Sequence, residues 1–261
     1  MPTPPAPPTA LQTARTALAC LDLTSLNDND TPADIERLCQ RAQGQHPSRG
    51  AVAAVCVWPR FVKQARALLP PQIAVAAVAN FPDGSSDLQR AVQDTAQIVA
   101  AGGQEVDVVI PYRDLAAAPA LLAAVRRECA GLRLKVILET GELQDEALIA
   151  HACHIALDAG ADFLKTSTGK TPVSATPQAA RVLLQAIADD RTARGRVGFK
   201  PSGGIRTVAD AALYIALTQE ILGADAVTPS RFRIGASGIL NDIEAVLAGG
   251  PHPAAAAAGT Y

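Results

Sequence analysis

The stretch LKVILETGELQDEALIAHACHIALDAGADFLKTST, residues 134 to 168, decides the fold. It opens on an apolar run dense in Val, Ile and Leu, continues as a helical pattern, stops at Gly160 and enters a second apolar run, DFLKTST (162 to 168). Strand, helix and strand in that order, with strands that do not alternate polar and apolar, are what a parallel sheet covered on both faces requires.

Outward from this unit the alternation occurs eight times. The runs are ALACLDLT (17 to 24), AAVCVW (53 to 58), IAVAAVANF (73 to 81), EVDVVIP (105 to 111), LKVILET (134 to 140), DFLKTST (162 to 168), RVGFKPS (196 to 202) and RFRIGAS (231 to 237), each but the last followed by a helical pattern. Helix starts are marked by Thr31-Pro32, Ser86-Asp87, Thr176-Pro177 and Thr207, and stops by Gly102-Gly103, Gly160 and Gly223. Eight units in 261 residues, roughly 30 residues each, suit a (β/α)8 TIM barrel better than an open doubly wound sheet of five or six strands. A short N-terminal helix near residues 10 to 18 precedes the first strand and is expected to cap the barrel bottom. One barrel domain over 10–248 is expected, with flexible segments at 1–9, which holds five prolines, and at 249–261.

Composition narrows the partners. Net charge is −2 and half the residues are apolar, so nucleic acid and anionic membrane, which demand a strongly basic face, are disfavoured and a small molecule becomes the default. No membrane-length apolar run and no signal-peptide pattern at the start are seen, so a cytoplasmic location is expected. The five cysteines are widely spaced without a CxxC pair, as reduced core thiols would be. His151 and His154 could offer two metal ligands on one helix face, but no third ligand cluster accompanies them, so the expectation is no metal.

Lysine is scarce: five against 18 Arg. Where charge alone suffices this chain uses Arg, and an amine that can lose its proton is needed only for chemistry Arg cannot do. Charged residues also stand in the apolar runs: Asp22, Glu105 and Asp107, Lys135 and Glu139, Lys165, and Lys200. A period of two puts Lys165 in phase with Phe163 and Lys200 in phase with Gly198, so both amines can point into the barrel from neighbouring strands. Repulsion and desolvation then favour releasing one proton near neutral pH. A neutral lysine adds to an aldehyde, dehydrates to an iminium and acidifies the adjacent carbon, with Asp107 placed to shuttle a proton. The plainer reading, a structural Lys–Asp–Lys ion network, stays open on these grounds alone.

Three glycine-bearing turns follow the last three strands: Gly169-Lys170, Ser202-Gly203-Gly204 and Gly235-Ala236-Ser237-Gly238. Such turns let backbone N–H groups approach an anion, and the loops after strands seven and eight recur as phosphate sites in these barrels, so a phosphorylated substrate is expected. Tight turns without a ligand are the alternative. A P-loop is excluded because the glycine it needs five residues before Gly169 is Leu164, and no GxGxxG follows the first strand. A non-catalytic sugar-phosphate sensor would not need two buried lysines.

Together, LDLTSLND (21 to 28), CVWPRF (56 to 61), VANFPDG (78 to 84), EVDVVIPYR (105 to 113), KVILETGEL (135 to 143), FLKTSTGK (163 to 170), GFKPSGGIRT (198 to 207) and RIGASG (233 to 238) resemble the deoxyribose-phosphate aldolase family. The resemblance implies reversible cleavage of 2-deoxy-D-ribose 5-phosphate to D-glyceraldehyde 3-phosphate and acetaldehyde, in deoxyribonucleotide catabolism, without metal or organic cofactor. It implies Lys165 as the Schiff-base lysine, Lys200 as the amine that keeps it deprotonated and Asp107 as the proton relay. Asp22 and Lys135 would support the polar network, Thr24 would face the sugar, and Gly169, Lys170, Gly203, Gly204, Gly235 and Ser237 would hold the phosphate. Longer members end in a mobile tyrosine that helps move a proton at the enamine carbon, and this chain ends in Tyr261; where they carry a second serine it has Gly238. Other Schiff-base barrel aldolases, of the transaldolase or fructose-bisphosphate type, are the enzyme alternative, and a homodimer is within the expectation. EDTA is expected to leave the aldolase rate unchanged, and a rate that falls on chelation and returns with metal would point to the metal-dependent aldol mechanism.

Overall fold

The computed structural model describes residues 8–44 and 50–249. Eight parallel strands alternate with helices: β1 Leu21–Thr24, β2 Ala54–Val57, β3 Ala74–Ala79, β4 Glu105–Val109, β5 Arg133–Ile137, β6 Phe163–Lys165, β7 Gly198–Lys200 and β8 Ile234–Ala236. Each strand pairs with its sequence neighbour, β1 also pairs with β8, and bridges Phe199 to Phe232 and Ser202 to Gly235 close β7 onto β8. This is the expected TIM barrel.

The helices are α1 Ala10–Ala19, α2 Pro32–Ala42, α3 Val62–Leu68, α4 Leu88–Ala100, α5 Ala118–Glu128, α6 Thr140–Leu143, α7 Glu146–Asp158, α8 Pro177–Asp189, α9 Val208–Leu222 and α10 Ile239–Leu247. Capping chemistry fixes where they start. Thr9, Thr31 and Thr207 each cap their helix reciprocally with Gln12, Asp34 and Asp210, and Asp87, Asp145 and Thr176 accept from the N3 amide. One boundary differs from the sequence reading. Residues 17–20, read as the start of the first strand, are the last turn of α1 and its cap, because the Thr9 capping box carries one helix through Ala19 before Leu21 begins the sheet. The eighth strand leads into α10, which packs with α1. No helix among the described residues is long and apolar enough to cross a membrane.

The αβ turns at the amino ends of β3 and β5 are held by the same device. Arg66 of α3 donates to the carbonyls of Leu69, Pro70 and Ile73 and to Gln104, whose side chain also accepts from Val75 N. Arg126 of α5 donates to the carbonyls of Cys129 and Leu132 and to Asp162, whose carboxylate also accepts from Leu134 N. In each case one guanidinium satisfies turn carbonyls that have no ladder partner and ties them to the residue preceding the next strand.

Register sets what the barrel encloses, since in-register neighbours share a face. One interior row runs Val78, Asp107, Lys135, Phe163, Gly198, and the next includes Ile137, Lys165 and Lys200. Asp22 is in register with Ala54 and Gly235. The apolar core lies outside this barrel wall, between sheet and helices, while the interior from β4 round to β1 is charged. Gly198 is needed because a Cβ there would collide with the Phe163 ring and the Arg231 carbonyl. Gly198→Ala is therefore expected to destabilise the fold by about 1–3 kcal/mol, read as a lower urea midpoint with unchanged m-value.

Candidate active site

The interior charges form one buried network. Asp107 Oδ2 accepts from Lys165 Nζ at 2.8 Å and from Lys200 Nζ at 2.7 Å, while its Oδ1 accepts from Lys135 Nζ at 2.8 Å. Two amines on one oxygen stand within a few ångströms of each other, as the in-phase reading of strands six and seven requires. Asp22 binds Lys200 at 2.5 Å, Lys135 at 3.2 Å and Arg233 at 2.5 Å. Glu105 binds Lys135 at 2.5 Å and Arg233 at 2.8 Å. Below the amines the Phe163 ring is flanked by the guanidiniums of Arg133 and Arg233 at 5.8 and 5.7 Å from its centroid, which closes the floor of the site.

Counting charges identifies the odd group. Within this ion-paired network the carboxylates are Asp22, Glu105 and Asp107, and the buried cations are Lys135, Lys165, Lys200 and Arg233. Three anions face four candidate cations, and a buried net charge is costly. Arg133, which reaches Glu105 with its side chain 36% exposed, is hydrated and weighs less. Lys135 contacts three carboxylates and Lys200 and Arg233 two each, whereas Lys165 contacts Asp107 alone. Neutralising Lys165 therefore balances the cluster for the loss of the fewest contacts.

The titration tendencies agree. Burial lowers the pKa of Lys165, and the Lys200 ammonium lowers it further, against the pull of Asp107. Burial would also lower that of Lys200, but Asp107 and Asp22 outweigh it and raise the pKa above the ordinary lysine value. Burial would raise that of Asp107, but the three lysines hold its carboxyl well below the usual range. One wall thus carries an amine biased toward the neutral form beside an ionised carboxylate able to accept a proton.

Around the carboxyl rim the last three loops interlock. Gly169, Gly203 and Gly204 take positive φ of 79°, 80° and 78°, which glycine adopts without strain. A Cβ on Gly203 would strike Ser174 and crowd Gly169. The N–H of Gly203 donates to Gly235 O and that of Gly235 to Pro201 O. Gly235, expected in a turn, lies within β8, where its missing side chain leaves room for Lys200 Cε and Ser202 Oγ. Among the described residues the N–H groups of Gly169 and Gly204 have no partner. The α10 N-terminus, at Gly238, has no side-chain cap, so these donors and its helix dipole leave positive potential on the rim. Lys170 and Ser237 are exposed beside them. Thr24, half-buried at the end of β1, donates to Asp22 O.

Sequence reasoning missed Arg233. It is 3% exposed and neutralises Asp22 and Glu105 from beneath the lysines. Its phase with Gly235 in RFRIGAS was the available signal. Tyr261 lies outside the described residues. His151 and His154 are both exposed on α7, and no cluster of three or more His, Cys, Asp or Glu able to hold a metal exists among the described residues. The five cysteines are free and buried.

Residues 16–239 match the family model described as DeoC/LacD family aldolase. A deoxyribose-phosphate aldolase of Agrobacterium fabrum is 50% identical over 256 residues, covering 95% of this chain and 96% of the relative. A Toxoplasma gondii structure provisionally described as a deoxyribose-phosphate aldolase superposes with a TM-score of 0.79 at 25% identity, over 90% of this chain and 92% of that one. The tetrameric deoxyribose-phosphate aldolase of Aeropyrum pernix superposes at 0.69 and 24% identity, covering 91% and 96%, a likeness of fold.

Lys200→Leu removes an ammonium that depresses the Lys165 pKa and leaves Asp107 to raise it. The pH at which Lys165 becomes trappable by an aldehyde and borohydride should move upward, and an unchanged profile would remove the tuning role.

Proposed function

This chain belongs to the DeoC/LacD aldolase family, and from that premise we propose that it is a Schiff-base lyase that reversibly cleaves 2-deoxy-D-ribose 5-phosphate to D-glyceraldehyde 3-phosphate and acetaldehyde. The observation that carries the mechanism is that Lys165 is the one surplus cation of a buried cluster, held by a single carboxylate.

The neutral Nζ of Lys165 attacks the C1 aldehyde of the open-chain sugar. The carbinolamine takes up a proton, loses water and becomes an iminium. A base then removes the C3 hydroxyl proton, the C2–C3 bond breaks, and its electron pair flows into the iminium to give an enamine while C3 leaves as the aldehyde of glyceraldehyde 3-phosphate. Protonation at C2 and addition of water return acetaldehyde and the free amine. Asp107, ionised at rest and touching Lys165, is the relay that takes and returns protons, through a water where the distance requires it. Lys200 keeps Lys165 neutral and holds Asp107 in place, and Asp22 and Lys135 fix that constellation from below.

The phosphate is assigned to the rim, where Gly169 and Gly204 offer N–H groups, Lys170 and Ser237 offer side chains, and Gly203 and Gly235 shape the backbone. Thr24 at the end of β1 is assigned to the sugar and Tyr261 to protonation at the enamine carbon. This iminium chemistry calls for no metal or organic cofactor. A reducing cytoplasm suits five unpaired, buried thiols.

Reduction of the enzyme–acetaldehyde mixture with borohydride should place a two-carbon adduct on the peptide holding Lys165, found by mass spectrometry. Lys165→Ala should lose the adduct and at least about three orders of magnitude of turnover; label on another lysine, or retained turnover, sinks the assignment.

A further inference from the structure

Strand β5 does not run cleanly into the rim. Leu138 N donates to Lys165 O and Thr140 N to Thr166 O, so two residues advance on the β5 side for one on β6, which is the count of a bulge. The extra residue is Glu139, at φ 54° and ψ 58°, a conformation a side-chain-bearing residue adopts at a cost of order 1–3 kcal/mol. It is also fully buried. A strained backbone and a buried acid at one position, beside a rim meant to receive an anion, need a reason.

The side chain supplies it. Glu139 Oε2 accepts from Thr168 Oγ1 at 2.5 Å, Oε1 from Thr171 Oγ1 at 3.2 Å, and both oxygens lie 3.3–3.4 Å from Thr168 N. Thr168 Oγ1 in turn accepts from Lys170 N at 3.0 Å. No Lys or Arg among the described residues forms an ion pair with Glu139, and burial pushes its pKa up against these bonds and against the charge of Lys165. Behind it, α6 seats on the same loop: a Cβ on Gly141 would run into Val173 O. The backbone flanking Glu139 thus grips residues 165 and 166, and its carboxyl grips the turn 168–171. The reacting amine and the turn bearing Gly169 and Lys170 are held in one frame.

We propose that Glu139 is a positioning residue for the substrate phosphate, setting the 168–171 turn at a fixed distance from Lys165. The inference rests on the reading of that turn as a phosphate contact. It makes Glu139 a determinant of preference for phosphorylated over unphosphorylated aldehydes, without contact to either.

The test uses the full chain and compares 2-deoxy-D-ribose 5-phosphate, unphosphorylated 2-deoxy-D-ribose and inhibition by inorganic phosphate. Glu139→Gln keeps the shape but turns one acceptor into a donor. Its KM for the phosphorylated sugar should rise about tenfold with kcat falling less than about threefold, its phosphate inhibition constant should rise in parallel, and the kcat/KM ratio between the two sugars should fall about tenfold. Thr171→Val should move the same ratio in the same direction and Thr171→Ser should restore it, which keeps the question answerable if Glu139→Gln does not fold. An equal loss on both sugars, or an unchanged ratio in Glu139→Gln or in the threonine pair, overturns the role of Glu139. A wild-type enzyme with no preference for the phosphorylated sugar overturns instead the phosphate reading on which it rests.

Discussion

Asp107 Oδ2 is shared by two lysine amines on adjacent strands, and the rest of the interior is arranged so that this shared oxygen can exist. A carboxylate with no exposed surface cannot stay ionised unaided. Lys135 supplies a third donor to its other oxygen, and Lys135 must itself be balanced by Asp22 and Glu105, which bring in Arg233. The network grows downward until charge is matched, and the mismatch left at the top falls on the amine with the fewest partners. Replacing buried ion networks by apolar side chains is often neutral or stabilising, so stability is a weak reason for these charges. The fold carries the charges because each is a condition on the protonation of one nitrogen.

The barrel tolerates this because its charged and apolar surfaces are kept apart. Leu164, Val136, Val106 and Phe199 point outward into the helix layer and are fully buried. Opposite the charged strands, β2 and β3 contribute only Ala54, Cys56, Ala74, Ala76 and Val78 to the inward register, small groups that leave the long side chains of Lys135, Lys165, Lys200 and Arg233 room to cross the lumen. Glycine does the same at closer range: Gly198 admits the Phe163 ring and Gly235 admits Lys200. Lumen width is thus set residue by residue by what the opposite wall must hold.

The strand count, the parallel architecture and the Lys165–Lys200–Asp107 triangle were legible in sequence because each rests on a local regularity. A buried parallel strand is a short apolar run, a helix start is a capped turn, and a period of two tells which residues share a face. What was not legible rests on partners distant in sequence. Arg233 reads as one more arginine until Asp22 and Glu105, 211 and 128 residues away, are brought against it. The start of β1 was misplaced because Ala17 to Cys20 are apolar in either state and only the Thr9 cap decides between them. Gly235 was read as a turn glycine because sequence shows that glycine is required without showing whether the cause is backbone torsion or a neighbour's bulk.

The bulge at Glu139 belongs to this last kind, and it bears on how such a barrel couples two ends of one substrate. Lys165 is placed by strand geometry and the phosphate turn by loop geometry, and loops are ordinarily the more variable of the two. An extra residue in β5 changes that: it delivers a carboxyl to two hydroxyls and one amide three to six residues beyond the lysine. Gly203, pressed between Ser174 and Gly169 and bonded to Gly235, carries the same constraint on to the loops of β7 and β8. Reaction at one end and anchoring at the other then share a single rigid frame, so that energy from binding the remote anion can be used to orient the aldehyde carbon against a nitrogen whose charge state the interior network has already set.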